Sequence, residues 1–437
     1  MTIQKLPTLL AAGTAVFFSL ALHAFAQNKS ADTDDLRLNQ IQVVGTHNSY
    51  QMPADPRVMQ LMVPRLKPLF DGMQKNMPPE QAAAMREEHP NPLTDSFADA
   101  LDYIQAPIEM QLRAGVRSLE LDLQADPAGG LYADPLPYRE LRKSGVTDLA
   151  PIYEEQLRQP GMKVFHLADV DFRSQCPRFR QCLTLLRQWS DANPGHSPVF
   201  ILLEPKLSGL EKVVPGATAV APFNKAAFEE IDADILSVFG RARLVTPDDL
   251  RGTHATLEEA ALANAWPALS QTRGKFLFLY LVPGLNFKAF APYLDGHSSL
   301  EGRVAFVQSL PGMKHAAFVM VDNATIKPDR VPDLVRKGYF VRSRADIDTY
   351  EARHNDTARR DATILSGAQI ISTDYPQSPN IYNNDYQVRP SPQGFRCNPV
   401  TTAACQPSQM ERSQIDRLPT KVSFRAKPGP SCLIAMP

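Results

Sequence analysis

The sequence predicts a (β/α)8 TIM-type barrel, an α/β fold in which eight parallel strands alternate with helices. Short runs rich in β-branched and aromatic residues recur along the chain, and the segments between them are long enough for helices. Several of these runs are continuously apolar, which is typical of parallel strands that are covered on both faces. A doubly wound parallel sheet is the alternative arrangement of the same elements.

The predicted strands are separated by intervals of very unequal length. In chain order they are Ile41–Thr46, Arg117–Leu123, Met162–Leu167, Val199–Glu204, Lys275–Leu281, Ala317–Asp322, Tyr339–Arg342 and Gln369–Thr373. Helices are predicted between them, for instance over Pro177–Ala192, Ala226–Gly240 and Leu300–Ser309. The barrel would span residues 38–380, with an inserted helical lobe over residues 51–99. Eight prolines between Pro390 and Pro437 predict a Pro-rich C-terminal extension over residues 381–437.

Residues 1–26 have the pattern of a secretory signal peptide. Lys5 is followed by an apolar stretch, Leu9–Leu22, and then by Ala24-Phe25-Ala26. A basic start, a short apolar core and an A-x-A ending are what signal peptidase recognises. A membrane anchor is the alternative, but the apolar run contains small and polar residues and ends in small ones, which favours cleavage near Ala26. We therefore expect a secreted or periplasmic protein.

The cysteine content fits an oxidising compartment. Cys176 and Cys182 are close enough in sequence to pair across a short loop, as are Cys397 and Cys405, which leaves Cys432 unpaired. Sequence alone does not fix the connectivity. No C-x-x-C motif is present, so a thiolate metal site has no support.

Composition and missing motifs exclude several classes of function. The chain has 46 Lys and Arg against 47 Asp and Glu, which gives none of the basic excess that nucleic-acid binding needs. There is no G-x-x-x-x-G-K-[ST] or dinucleotide glycine motif, so we expect no nucleotide. A serine hydrolase is disfavoured because no G-x-S-x-G elbow occurs.

Polar side chains interrupt the apolar runs at the ends of the first four predicted strands. They are His47, Asn48, Glu120, Asp122, His166 and Glu204. The carboxyl ends of barrel strands form one active face, so these residues should converge on one rim. Three carboxylates and one amide oxygen form a hard oxygen site, which suits Ca²⁺ or Mg²⁺ rather than zinc.

Each of these residues also has an ordinary structural explanation when it is taken alone. A Glu-x-Asp pair is usually a solvated face, a single histidine is more often structural than catalytic, and Asn48 fits a turn or a helix cap. Glu204 precedes Pro205 and fits a strand end. The functional interpretation depends on four interruptions that fall at the same end of consecutive strands.

This ordered set of motifs resembles the phosphoinositide-specific phospholipase C family. His47-Asn48-Ser49-Tyr50 resembles the motif that opens its catalytic barrel, and Glu120-Leu121-Asp122 its metal-binding Glu-x-Asp. His166 corresponds to the second catalytic histidine, and Glu204 to a further metal-binding glutamate. The stretch Val164–Lys206 looks closest to secreted bacterial Ca²⁺-dependent members, and the similarity runs from about Leu38 to Pro376.

The resemblance implies a Ca²⁺ cofactor and a reaction. The implied metal ligands are Asn48, Glu120, Asp122 and Glu204, and the implied catalytic residues are His47, His166 and Glu204. One metal-site carboxylate, Glu204 or Glu120, would take the proton of the inositol 2-hydroxyl, which attacks phosphorus, displaces diacylglycerol and leaves a cyclic inositol phosphate. The histidines would donate hydrogen bonds to the phosphorane, and one would protonate the leaving oxygen.

Residues that contact the substrate are expected among basic side chains at the same rim. Lys206 lies two residues after Glu204, so it should share its face and meet a phosphate. Arg342 ends the seventh predicted strand and is a second candidate, and Asp374 is a weaker third.

A phospholipid at a membrane surface is the expected partner of a monomeric enzyme. Charged linkers and lipid-targeting modules of the eukaryotic enzymes are not visible in the sequence, so the barrel rim or the inserted lobe would engage the membrane. Six apolar side chains of the lobe form either a lipid-facing lid or ordinary core: Met52, Met59, Met62, Leu66, Leu69 and Phe70.

Two alternative functions remain. Arg342–Thr349 and Ser366–Asp374 also resemble glycerophosphodiester phosphodiesterases, which share the barrel and the Glu-x-Asp site and act on deacylated substrates. The opening histidine of that family is followed by arginine, whereas Asn48 stands here. The other alternative is a barrel that binds phosphoinositide without turnover, although simple binding would not need two acid–base groups.

Overall fold

A barrel of parallel strands organises the computed structural model, which describes residues 33–76, 79 and 93–402. The strands are β1 (Ile41–Thr46), β2 (Ser118–Gln124), β3 (Lys163–Val164), β4 (Val199–Pro205), β5 (Phe276–Tyr280), β6 (Ala305–Val307), β7 (Phe318–Met320), β8 (Phe340–Arg344), β9 (Ile370–Thr373) and β10 (Arg396–Cys397). Their order is β6-β5-β4-β2-β1-β9-β8-β7. A parallel bridge between Gln308 and Phe318 joins the two ends of this row. The predicted eight-stranded barrel is therefore confirmed.

Helices fill the connections between the strands. In the described residues the α-helices are Pro56–Asn76, Leu93–Ala100, Ile108–Arg113, Leu136–Lys143, Glu154–Leu157, Phe179–Ala192, Lys225–Phe239, Pro247–Arg251, Leu257–Leu262, Leu269–Thr272, Ala291–Leu294, Arg330–Arg336, Tyr350–His354 and Ala358–Leu365. Short 3₁₀ helices are Thr33–Asp35, Leu38–Gln40, Arg241–Arg243, Pro283–Leu285 and Phe287–Phe290. Helix Lys225–Phe239 begins where the Asn224 side chain accepts a hydrogen bond from the Ala227 N–H (3.0 Å), and it ends at Gly240.

Two of the predicted elements are wrong. One predicted strand is not part of the barrel and one predicted helix contains a barrel strand, so the number of barrel strands is still eight. Met162–Leu167 contains only the two-residue strand β3, which pairs antiparallel with the end of β2, so β2 lies directly beside β4. His166 is therefore not at the end of a barrel strand. The predicted helix Leu300–Ser309 contains strand β6 instead. Its apolar run is only four residues long after Gly302, which has a φ of 70°, so it is too short for a helix.

The barrel interior changes from aromatic at the amino ends of the strands to polar at their carboxyl ends. The rings of Phe200 and Phe340 stack across the amino-terminal half with centroids 4.9 Å apart. Trp266 closes that end and donates a hydrogen bond from Nε1 to the Gly338 carbonyl (2.8 Å). Because strand residues alternate between the two faces, the interior positions further along carry the charged residues. The site is thus built on a packed hydrophobic floor.

The inserted lobe packs against the barrel over its described part. Met62 and Leu66 are buried in the main hydrophobic core, and Met59 is half-buried against it. These residues form ordinary core, so they do not supply a lipid-facing lid; the side chains of Leu69 and Phe70 lie outside the described residues. Among the helices that the structure describes, none is both long and apolar enough to cross a bilayer.

The cysteine prediction is confirmed where the structure describes it. Cys176 and Cys182 form a disulfide. Cys397 is also disulfide-bonded, and its predicted partner Cys405 lies outside the described residues. The predicted signal peptide, the middle of the lobe and the end of the C-terminal extension likewise lie outside them. Within that extension, β10 pairs antiparallel with the beginning of β1.

Candidate active site

Three carboxylates form a cluster at the carboxyl ends of β2 and β4. Glu120 and Asp122 are two residues apart on β2, and the register between the strands pairs Asp122 with Glu204. Each of the three carboxylates offers an oxygen within 4.8 Å of the others. Glu120 and Asp122 are buried, whereas the Glu204 side chain is 26% exposed. The parallel register therefore brings together the carboxylates predicted from the strand ends.

Burial and neighbouring charges act on these carboxylates in opposite directions. Burial raises the pKa of Glu120 and raises that of Asp122 to about 6. Burial also opposes ionisation of Glu204, but the positive charge of Lys206 outweighs it and lowers the pKa of this carboxyl. The cluster thus concentrates negative charge in a place from which water is largely excluded, and it needs a cation.

Lys206 provides one such cation. Its backbone N–H donates a hydrogen bond to the Leu123 carbonyl (2.9 Å), which fixes the start of the side chain beside β2. Its Nζ lies 2.7 Å from Oδ2 of Asp122 and 2.6 Å from Oε1 of Glu204. Burial disfavours the charged amine, but the two carboxylates outweigh burial and raise the pKa of Lys206. Lys206 is thus a bridge within the acidic cluster.

Asn48 adds a buried amide to the cluster. It follows β1 with a φ of 44°, a left-handed conformation that asparagine tolerates well. One end of its amide lies 2.6 Å from the Tyr103 hydroxyl, and the other lies 3.2 Å from Oδ2 of Asp122. If the amide nitrogen points towards Asp122, it donates a hydrogen bond to that carboxylate, and the amide oxygen accepts one from the Tyr103 hydroxyl. With oxygen towards Asp122, two acceptors face each other, and this arrangement is favourable only when a cation lies between them.

His47 is held between two acids on opposite sides of its ring. Its Nδ1 lies 2.9 Å from Oδ1 of Asp374, which follows β9, and its Nε2 lies 3.8 Å from Oε1 of Glu120. Burial, aided by the charge of Arg344, lowers the pKa of His47 well below its usual value. Burial also raises the pKa of Asp374 to about 7. Both shifts favour a neutral imidazole whose orientation is fixed through Nδ1.

His166 reaches the same site from outside the barrel strands. Its ring is 6.5 Å from the ring of His47, centroid to centroid. Its Nδ1 lies 3.0 Å from Oδ2 of Asp171, a fully buried carboxylate that also accepts hydrogen bonds from Nε2 of Gln51 (2.9 and 3.1 Å). Each histidine therefore has its Nδ1 beside a carboxylate, which makes Nε2 the nitrogen available for chemistry.

A second charged network lies on the side of the barrel formed by β7, β8 and β9. Nη2 of Arg342 is 3.0 Å from Oε2 of Glu120, and its Nη1 pairs with Asp322. Nη2 of Arg344 is 3.3 Å from Oδ2 of Asp374. Because Arg342 is only 3% exposed and both of its terminal nitrogens are paired, it holds Glu120 in place; its contact with substrate stays a prediction.

The model of a known family matches most of this chain. Residues 36–399 match the family model of the Ca²⁺-dependent phosphoinositide phospholipases C. The chain belongs to this family. It is therefore a phosphoric diester hydrolase, and the resemblance based on its motifs is confirmed.

Solved structures of bacterial phospholipases C are similar to this chain at low identity. The Ca²⁺-dependent phosphatidylinositol-specific enzyme of Streptomyces antibioticus is 20% identical with a TM-score of 0.43, over 77% of this chain and 94% of that one. A calcium-dependent phosphoinositol-specific enzyme of a Pseudomonas species is 16% identical with a TM-score of 0.42, over 78% of this chain and 91% of that one. The phosphatidylinositol-specific enzyme of Listeria monocytogenes is 13% identical with a TM-score of 0.42, over 82% of this chain and 97% of that one. No curated protein matches the chain significantly.

The acidic cluster of this phospholipase C fits the ion on which its family depends. Ca²⁺ prefers carboxylate and amide oxygens, in sets of about six to eight ligands that include water. The four predicted ligands supply only oxygen: they are Asn48, Glu120, Asp122 and Glu204. The three carboxylates face two cationic side chains, Lys206 and Arg342, so the cluster retains negative charge. The donor chemistry and the buried amide oxygen of Asn48 therefore suit a hard divalent cation.

All eight predicted site residues of this phospholipase C lie in one connected network, although several of its members were not predicted. Asp322 and Arg344 were missed, and Asp374 was only a weak substrate candidate. All three follow the rule that identified Glu204, because they lie at the carboxyl ends of β7, β8 and β9. Asp171 and Gln51 lie on connecting segments, where strand periodicity gives no signal.

Proposed function

We propose that this chain is a Ca²⁺-dependent phospholipase C that cleaves phosphatidylinositol-type lipids. The inositol 2-hydroxyl attacks phosphorus, the bond from phosphorus to the diacylglycerol oxygen breaks, and a cyclic inositol phosphate is released with diacylglycerol. Family membership supports the class of reaction. The observation that carries the proposal is the position of two histidines, each with a carboxylate at Nδ1, beside an all-oxygen acidic cluster.

The acidic cluster binds the cation and the reacting end of the substrate. Asn48, Glu120, Asp122 and Glu204 hold Ca²⁺, which when bound supplies positive charge that stabilises the developing charge on the phosphoryl oxygens. Glu204 is the most exposed of the carboxylates and has a lowered pKa, so it is ionised and accessible as the base for the 2-hydroxyl proton. Glu120 is less suited to that role because its side chain is only 1% exposed.

The histidines act on the phosphoryl group and on the leaving oxygen. Asp374 and Asp171 hold the two rings at Nδ1, which leaves the Nε2 atoms of His47 and His166 to donate to phosphoryl oxygens. One of them returns a proton to the diacylglycerol oxygen as it leaves. The proton balance closes because Glu204 takes one proton from the attacking hydroxyl, while His47 gives up the proton on Nε2 and takes one at Nδ1 from Asp374, whose pKa burial raises to about 7.

The reaction is tested by ³¹P NMR of phosphatidylinositol vesicles with the purified protein, first with Ca²⁺ and then with excess chelator. We expect a cyclic inositol phosphate signal that requires Ca²⁺ and that Glu120→Gln abolishes. Glycerophosphoinositol under the same conditions tests the deacylated substrate. Turnover of that compound alone would replace the proposal with a glycerophosphodiester phosphodiesterase, and binding of vesicles without any product would indicate a binding protein.

We further propose that the carboxyl-end rim of the barrel meets the membrane. Leu285 and Leu310 follow β5 and β6 at this rim and are 50% and 38% exposed, and Ile381 follows β9 and is also exposed. Isolated apolar side chains on loops around the substrate opening suit shallow insertion between lipid headgroups. Leu285→Ser combined with Leu310→Ser should weaken vesicle sedimentation, whereas Leu236→Ser on an outer helix should not. Equal vesicle binding by all the variants would contradict this role.

Export and the monomeric state are part of the same proposal. A lipid substrate outside the cytoplasm agrees with the signal peptide predicted over residues 1–26 and with the disulfide between Cys176 and Cys182. We expect N-terminal sequencing of the protein from the producing cells to start at Gln27, and sedimentation equilibrium to give the mass of a monomer. A retained N-terminus in a membrane fraction would favour an anchor.

A further inference from the structure

We propose that Lys206 is an internal cation that occupies part of the Ca²⁺ site, and that Ca²⁺ binds by displacing its ammonium group from Asp122 and Glu204. The inference rests on the proposed function, because it assumes that the acidic cluster takes Ca²⁺. It adds a residue that sets the affinity of that site and that is not itself a metal ligand.

The position of the ammonium group carries the proposal. Nζ of Lys206 lies 2.7 Å from Oδ2 of Asp122 and 2.6 Å from Oε1 of Glu204, between two of the three clustered carboxylates. Ca²⁺ binds carboxylate oxygens at about 2.3–2.6 Å. An ammonium and a calcium ion cannot both lie at these distances from the same two oxygens. If each used a different oxygen of the same carboxylates, the two cations would still repel strongly inside the barrel.

The side chain of Lys206 has the freedom that displacement requires. Its backbone is fixed by the hydrogen bond to the Leu123 carbonyl, so only the flexible four-carbon chain has to move. The Lys206 side chain is 15% exposed and that of Glu204 is 26% exposed, so one side of this ion pair borders on solvent. Asp122 and Glu120 are almost fully buried, which places the path for exchange at the Glu204 side.

The exchange would link metal binding to substrate binding. Without Ca²⁺, Lys206 neutralises Asp122 and Glu204, whose charges would otherwise be buried without a partner. Once displaced, its ammonium remains at the same rim and is available to an anionic phosphate. The sequence predicts Lys206 as a phosphate contact, whereas the structure shows it bound to carboxylates; displacement reconciles the two.

The first test is Ca²⁺ titration by isothermal calorimetry on chelator-stripped full-length protein. Lys206→Met keeps the length and apolar stem of the side chain but removes its charge, and Lys212→Met is the matched control because Lys212 is exposed in the same connection. We expect Lys206→Met to bind Ca²⁺ at least about tenfold more tightly than the wild type. We also expect its melting temperature to fall in chelator and to recover fully with Ca²⁺. Lys212→Met should match the wild type in both measurements.

The outcomes separate this inference from the proposed function. Ca²⁺ binding by the wild type with equal or weaker binding by Lys206→Met would overturn the role of Lys206 and leave the Ca²⁺ site in place. No Ca²⁺ binding by either protein would overturn both. Binding by Lys206→Met alone would show that the lysine blocks the site in the wild type, which would overturn both displacement and the Ca²⁺-dependent function.

A measurement on the wild type covers the case in which the variant does not fold. Acetylation of Lys206 by a small activated ester is followed by peptide mass spectrometry, in chelator and in saturating Ca²⁺, with Lys212 as the internal reference. Displacement predicts that the acetylation rate of Lys206 rises several-fold with Ca²⁺ while that of Lys212 does not change. Equal rates at Lys206 under the two conditions would contradict displacement, whatever the variant does.

Discussion

The two histidines of the site face each other but are held by different parts of the molecule. His47 directly follows β1, and Asp374, which orients it, directly follows the neighbouring strand β9. His166 lies between β3 and helix Phe179–Ala192, off the barrel strands, and is oriented by Asp171 on the same loop. One support is therefore part of the barrel, whereas the other is a local structure attached to it.

Side-chain hydrogen bonds, instead of strand pairing, hold the loop that carries His166. Asp169, with a φ of 63°, accepts a hydrogen bond from the Leu136 N–H (2.7 Å), and Asp171 accepts two from Gln51. A disulfide between Cys176 and Cys182 closes the end of the loop. In the barrel, backbone register alone aligns residues from neighbouring strands. The difference suggests that the loop histidine can be disturbed selectively while the barrel stays intact.

The largest effect is expected from Asp374→Asn, which removes the carboxylate from the barrel histidine. Asparagine has nearly the same shape but no acidic proton to pass to Nδ1 of His47, so turnover should fall about 10³-fold. Because burial already raises the pKa of Asp374 to about 7, a neutral group costs little stability there. Steady-state kinetics and thermal melting check both statements, with the exposed Asp385→Asn as control. A variant that keeps full turnover would show that His47 needs no partner.

A smaller loss is expected from Asp171→Asn, the matching change at the loop histidine. His166 should lose its fixed orientation and turnover should fall about 10²-fold, while the melting temperature changes by only a few degrees. A double-mutant cycle with His166→Ala isolates the connection, because Asp171→Asn should cost almost nothing further once the ring is gone. Additive losses in the cycle would mean that Asp171 acts on the fold instead of on His166.

The barrel side of the site was more predictable from sequence than the loop side. Strand alternation and the common direction of parallel strands are enough to place Glu120, Asp122 and Glu204 on one rim, and the register of β2 with β4 agrees. The same rule extends to Asp322 and Arg344, which lie at the carboxyl ends of β7 and β8 and were missed because the polar interruptions were sought at the first four predicted strands. Those residues could have been found.

The loop side could not be derived from periodicity. His166 was predicted to reach the rim as the end of a third barrel strand, and its resemblance to a family motif indicated the same place; the structure places it at the site but on a loop. Its true support comes from contacts between segments far apart in sequence, such as Gln51 with Asp171. The short strand β6 was missed for a related reason, since a three-residue strand carries too little pattern to be distinguished from a helix.

Removal of the disulfide tests how far the loop side depends on covalent closure. Cys176→Ser combined with Cys182→Ser should lower the free energy of unfolding by about 2 kcal/mol, since the closed loop is short. Turnover should fall only several-fold, because the Asp171–His166 contact does not include either cysteine. Urea unfolding and kinetics measure the two quantities. A loss as large as that of Asp171→Asn would show that the disulfide, and not the hydrogen bonds, positions the histidine.

The smallest effect on turnover is expected from a change at Asp346, which lies behind the barrel histidine. Here the pH dependence of stability distinguishes the barrel side of the site from the loop side. Asp346 is fully buried and accepts a hydrogen bond from the Asp374 N–H (2.8 Å), and burial raises its pKa to about 6. The unfolded chain ionises this carboxyl near pH 4, so the fold favours the protonated form. That stabilisation is complete below about pH 4 and is lost as the pH rises through 6, a change of about 3 kcal/mol.

Asp346→Asn should reduce the change of the free energy of unfolding between pH 4 and 6, and it should change turnover at pH 7 only a few-fold. In the control variant Asp385→Asn the free energy of unfolding should keep the wild-type slope against pH. An unchanged slope in Asp346→Asn would mean that this buried acid does not titrate in the folded barrel.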